Sequence, residues 1–156
     1  MRRLLVEARL RFQLLLCLLS RSIGYHSPSL AGLRKMKSCV TISLVSSLRG
    51  GPWILWDDLA TSCRKAADLG FDAVELFTEG PSAGQPGELA ALLTETGLSL
   101  GAVGTGAGKV IRGLTLTDPD PDVRAQARAF VSDMIVFGAQ HKAPAIIGSM
   151  QGTHGS

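Results

Sequence analysis

From Ser38 onward, short runs of β-branched and other apolar residues alternate with longer segments whose apolar positions recur every three or four residues. Val40–Val45 reads as a strand, followed by a Gly-Gly-Pro turn at 50–52. A helix then starts near Asp57, whose carboxylate suits the free N–H groups at a helix start. Leu59, Cys63, Ala66 and Ala67 lie on one face of it, and Gly70 ends it. Asp72–Phe77 is the second strand. A loop leads to Pro86 at the first position of a second helix, with Leu89, Leu92 and Leu93 on its apolar face and Gly97 at its end. Leu98–Val103 is the third strand. Asp120 and Pro121 open a third helix on Val123, Ala127, Phe130, Val131 and Met134. Pro144 blocks its continuation, and Ala145–Ile147 is a fourth strand. Strands that alternate with helices in this way build a parallel sheet with crossover helices covering it. Two architectures satisfy the pattern, an open doubly wound sheet and part of a closed barrel, and periodicity does not choose between them.

The charge is unevenly spread. Eight of the 16 Lys and Arg residues fall within the first 37 positions, and after Ser38 acids outnumber bases. The basic character therefore belongs to the leader, and no basic stripe with interleaved aromatics follows it, so a nucleic-acid partner is not expected. The leader, residues 1–35, holds an apolar run from Leu14 to Leu19 that is too short to span a bilayer, and no small-residue cleavage site follows it. Met36-Lys37, directly before a strand-like run, reads as the natural start of a cytoplasmic protein; export through residues 1–35 is the alternative. The fold is accordingly assigned to residues 36–156. Cys17, Cys39 and Cys63 have no metal-ligand or disulfide spacing and read as thiols in a reducing compartment.

Four segments, GFDAVELF (Gly70–Phe77), LGAVGTGAG (Leu100–Gly108), LTLTDPDPDVRAQA (Leu114–Ala127) and APAIIGSMQG (Ala143–Gly152), decide between the architectures. With the opening MKSCVTISLV (Met36–Val45), they resemble the sugar phosphate isomerase/epimerase family of xylose-isomerase-like barrels. The resemblance implies an α/β fold, the N-terminal half of a (β/α)₈ TIM barrel with about four parallel strands and three crossover helices. It also implies a sugar or sugar-phosphate substrate and aldose–ketose isomerisation or epimerisation beside a carbonyl. A divalent metal (Mn, Mg, Co or Zn), held by Glu, Asp and His on the later strands, belongs to the same implication. Full barrels run to about 250 residues, and this chain stops just after its fourth strand. The expectation is therefore a chain inactive by itself, with no metal ligand assigned, no tight metal binding, and self-association through open barrel edges. The rival readings are a non-catalytic half-barrel, an open α/β domain binding a small ligand, and a phosphodiesterase of the endonuclease branch. The acidic balance after Ser38 opposes the last of these.

Within this frame Glu75 stands out. Side chains alternate along a strand, so if Val74 and Leu76 face the helices, Glu75 faces the barrel interior near its C-terminal mouth. A carboxylate there suits a sugar hydroxyl. The segment Gly104-Thr105-Gly106-Ala107-Gly108-Lys109 is not a phosphate loop, because Val103 and Val110 stand where Gly and Ser or Thr are required. It is expected to be a glycine-rich loop whose N–H groups, around Gly104 and Gly106, hold a substrate oxygen. Gln151 and His154 follow the fourth strand as further substrate contacts, while Trp53 and Trp56 wall the pocket. His141, at a helix C-terminus, is read as structural.

Overall fold

A computed structural model describes residues 36–50 and 54–153. The leader, Trp53 and His154 lie outside the described residues. Four strands, β1 (Cys39–Ser43), β2 (Ala73–Phe77), β3 (Ser99–Gly104) and β4 (Ala145–Ile146), form one parallel sheet in the order β1-β2-β3-β4. The helices are α1 (Leu59–Asp68), α2 (Glu88–Thr96), α3 (Ala107–Arg112) and α4 (Pro121–Gln140), with 3-10 turns at Ser46–Leu48 and Gly148–Gln151. Strand order equal to chain order, with a helical crossover at every step, is the arrangement of an α/β barrel segment.

The core lies between the sheet and its helices. Val40, Ile42, Val74, Leu76, Leu100 and Val103 point from the strands into it. They meet Leu59, Cys63 and Ala66 of α1, Leu89 and Leu92 of α2, and Ala127, Phe130 and Met134 of α4. Ile42, Leu76 and Met134 are fully buried, and each stabilises the fold by about 1.5–3 kcal/mol. The inner face of the sheet therefore carries the intervening residues, Thr41, Ser43, Ala73, Glu75 and Phe77.

Several expectations need correction. The first helix is capped by Asp58 rather than Asp57, because Asp58 accepts from both the backbone N–H and the hydroxyl of Thr61, each at 2.8 Å. Pro86 is not the first helical residue of α2. Gly87, at φ +82°, turns the chain first, and Glu88 reaches back to accept from the Gln85 N–H at 2.7 Å. The first strand ends at Ser43, since Val45 leaves the sheet to join a second small apolar cluster with Phe77 and Ala107. The fourth strand is only two residues long, Ile147 leading into the 3-10 turn. The three helical crossovers stand as expected, and the third contains a second, short helix, α3, which begins inside the stretch read as a glycine-rich loop. The long helix α4 matches its reading, with Asp120 accepting from the Asp122 N–H at 2.8 Å and Pro121 inside the first turn. His141 sits at its C-terminus, edge-on to Phe137 at 5.8 Å.

Candidate functional site

The pairing of β1 with β2 sets Thr41 opposite Glu75 and Ser43 opposite Phe77, with Val74 and Leu76 turned to the helices. Glu75 thus lies on the inner face of the sheet, half-buried. Burial pushes its carboxyl above the ordinary carboxylate range, and a hydrogen bond from the Thr41 hydroxyl offsets part of that rise. Cys39, two residues before Thr41 on β1, has its thiol pushed up by partial burial first and by the Glu75 charge second.

A register irregularity between Val74 and Glu75 puts Leu100 opposite Val74 but Ala102 opposite Glu75, so Gly101 is the extra residue of a bulge. A Cβ on Gly101 would stand 2.9 Å from Cys39 Sγ, so a larger residue at this inner-face position would displace the Cys39 side chain. Past the bulge, Val103 returns to the helix-side core and Gly104 to the inner face, opposite Phe77. A Cβ on Gly104 would lie 3.2 Å from the Phe77 ring and 3.6 Å from Glu75 Oε1. The third strand therefore places small residues beside the carboxylate, with Gly104 packed closely against the Phe77 ring.

Gly106 packs on the same phenyl ring, its would-be Cβ lying 3.0 Å from Phe77 Cε2 and 3.3 Å from Ser149 Oγ. The segment expected as an open loop instead satisfies much of its own backbone. The Thr105 N–H donates to the Ile146 carbonyl, Gly108 to Thr105 and Lys109 to Gly106, at 3.0, 3.0 and 3.1 Å. Those N–H groups are committed to the fold rather than displayed to a ligand. The buried Thr105 hydroxyl lies 2.9 and 2.8 Å from the Ile146 and Ile147 carbonyls, which ties the end of β3 to the end of β4.

Gln151 ends the 3-10 turn after β4 and is exposed. With Thr117, Gly152 and Thr153 it lines a groove of about 420 Å³, a set that does not include Glu75. This groove is held by two hydrogen bonds, from the Leu116 N–H to the Met150 carbonyl at 2.8 Å and from the Thr117 hydroxyl to the Thr153 carbonyl at 3.1 Å. Glu75, Gly104 and Gly106 are accordingly brought together around Phe77, whereas Gln151 belongs to a neighbouring groove. Trp56 is half-buried next to Leu55, whose backbone pairs with the outer edge of β1.

Two polar inner-face residues, Thr41 and Ser43, escaped the sequence reading. The signal was present: with Val40 and Ile42 facing the core, alternation places Thr41 and Ser43 on the same side as Glu75. Ser43 is 2% exposed, and its hydroxyl has no hydrogen-bond partner among the described residues. Among the described residues, no three His, Cys, Asp or Glu side chains form a group that could hold a metal ion, so these residues do not fit the divalent metal that the barrel type implies. Among them too, no helix is long and apolar enough to cross a membrane.

No curated protein matches this sequence. The family model of the xylose isomerase-like TIM barrel matches residues 63–156, from within α1 through β4, which is more than half of the chain. That match selects the barrel from the two architectures compatible with the strand–helix alternation, and it agrees with four parallel strands in chain order under a layer of helices. The chain belongs to the xylose isomerase-like TIM-barrel family.

Proposed function

We propose that this chain is a sugar phosphate isomerase/epimerase-type domain whose inner face binds a sugar or sugar phosphate through Glu75. The observation that carries the reading is a half-buried carboxylate on the inner face of the sheet, third of the five residues of β2 and two residues from its C-terminal end, with Gly104 of β3 beside it. Active sites of α/β barrels lie at that end. A carboxylate there accepts hydrogen bonds from sugar hydroxyls, and Thr41 orients it from the neighbouring strand. Phe77 offers an apolar wall, and Gln151 a second polar contact from the adjacent groove.

In isomerases of this type a divalent ion polarises the carbonyl and hydroxyl oxygens. The described residues supply no three-ligand set for one, so the role proposed for them is binding and orientation, with no turnover by the chain alone. Calorimetry with D-fructose 6-phosphate, paired with an isomerisation assay in manganese, tests this. The expected outcome is binding without turnover, weakened about tenfold or more in Glu75→Gln, the loss appropriate to a hydrogen bond to a charged group. Equal affinity in wild type and variant would remove Glu75 from the site, and turnover would place the chemistry on other residues.

A further inference from the structure

Beyond the carboxylate on β2, the chain builds an open polar surface where β4 ends. After β4 it turns through Gly148–Gln151, and this turn is pinned against the connection that leads into α4. Met150 is fully buried, and its carbonyl accepts from the Leu116 N–H at 2.8 Å. Gly152 follows at φ +81° and ψ −164°, a conformation essentially confined to glycine. The place where its Cβ would stand is taken by the Thr117 hydroxyl, and the Thr115 Cβ lies 3.3 Å from that place. The outcome is the groove of about 420 Å³ lined by Thr117, Gln151, Gly152 and Thr153. Its volume falls within the ~300–1,000 Å³ usual for small-ligand sites.

We propose that this groove binds the uncharged, hydroxyl-bearing end of a sugar or sugar alcohol. The inference rests on the sugar-binding reading above and adds to it a site that Glu75 does not line. The chemistry of the lining selects the ligand. The Thr117 hydroxyl donates its proton to the Thr153 carbonyl at 3.1 Å, which leaves its oxygen free to accept. The Gln151 amide and the Thr153 hydroxyl can each both donate and accept, and both side chains are exposed. Neighbouring sugar hydroxyls donate and accept as well, so each finds a complement here. Among the described residues the lining carries no charge, and the residue after Thr117 is the acidic Asp118. A phosphate group therefore meets no counter-charge in the groove, whereas a neutral polyol needs none. Backbone hydrogen bonds and the glycine contact hold the walls in place beforehand, which spares the ordering cost that a mobile loop would add to binding.

Nuclear magnetic resonance titration of the full chain tests this, with D-glucitol, D-fructose 6-phosphate and inorganic phosphate as probes. The variants are Gln151→Ala, Thr153→Val and Glu75→Gln. The expected result is that D-glucitol shifts the backbone amides of Thr117, Gln151, Gly152 and Thr153, and that inorganic phosphate does not. Gln151→Ala and Thr153→Val should each weaken D-glucitol binding about three- to tenfold, the loss of one neutral hydrogen bond. Melting temperature should stay at the wild-type value in both, because the deleted groups are exposed. Unchanged D-glucitol affinity in both groove variants overturns the inference; weakened D-fructose 6-phosphate binding in Glu75→Gln would then leave the reading of Glu75 standing. A fall in melting temperature together with affinity assigns these side chains to the fold and overturns the proposal. Shifts of the groove amides by inorganic phosphate overturn the neutral class of ligand. Absence of wild-type binding to both D-glucitol and D-fructose 6-phosphate overturns the sugar-binding reading and this inference with it.

Discussion

At Glu75 the sequence places a carboxylate in a strand otherwise made of Ala, Val, Leu and Phe, and the sheet half-buries it. Desolvation raises its pKa in the folded state and the Thr41 hydroxyl reduces the rise. An acid with a raised folded value binds more protons folded than unfolded between its two values, so stability falls as pH climbs through that interval. Glu75→Gln removes this dependence. The expected outcome is a gain in melting temperature for the variant over wild type that is small at acid pH, below the ordinary carboxylate value, and grows toward neutrality. Melting curves of both proteins at matched pH values check it, and a constant difference across the range would contradict the burial of this group. Asp58 behaves in the opposite sense. Its pKa is lowered by the backbone and side chain of Thr61, so its capping contribution is present above the carboxylate range and lost on acidification.

Among the elements, α3 is the instructive one. Ala107–Arg112 contains a glycine and two β-branched residues, is only six residues long, and exposes Val110 and Ile111. Intrinsic propensity does not form such a helix. What holds it is close packing. A Cβ on Gly108 would stand 2.7 Å from Met150 Sδ and 2.9 Å from the Phe130 ring, so the helix backbone lies directly against α4 and the turn after β4. Arg112 closes the other end, its guanidinium 5.1 Å above the Phe130 ring and donating to the Glu79 carbonyl at 3.2 Å. Gly108→Ala should therefore destabilise the protein by about 1–3 kcal/mol, the cost of overpacking a filled core. Denaturant titration measures this; an unchanged midpoint would show that α3 does not bear on the core as closely as its glycine implies.

For the whole molecule, the open edges of the sheet are unequal. Of the open barrel edges expected, that of β1 is partly covered, because Leu55 pairs there: the Ser43 N–H donates to the Leu55 carbonyl at 2.9 Å and the Leu55 N–H to the Thr41 carbonyl at 3.4 Å. At the opposite edge, β4 shows Ile146 and Ile147 at 43% and 40% exposure, without the charge or proline that deters strand addition. Self-association through a sheet edge is therefore expected at β4. Light scattering after size exclusion should give an assembly larger than the monomer, and Ile146→Lys should reduce it. An assembly unaffected by the substitution would exclude the β4 edge as its basis.

Much of the fold was legible because it is governed by local chemistry. Two- and 3.6-residue periods placed the four strands and the three longer helices, Asp120-Pro121 marked the start of α4, and Gly70 and Gly97 marked helix ends through their positive φ. The inward direction of Glu75 followed from the same alternation, and so did the unused clue to Thr41 and Ser43. Tertiary structure decided what depends on residues distant in the chain. The bulge brings Gly101 against Cys39 of a strand two places away, α3 packs its Gly108 backbone against Met150 and Phe130, and Leu55 covers β1 only once the sheet is assembled. Periodicity registers which side of an element is apolar, whereas close approach between backbones is set by the absence of a side chain, and a glycine in the sequence does not reveal what will move in against it.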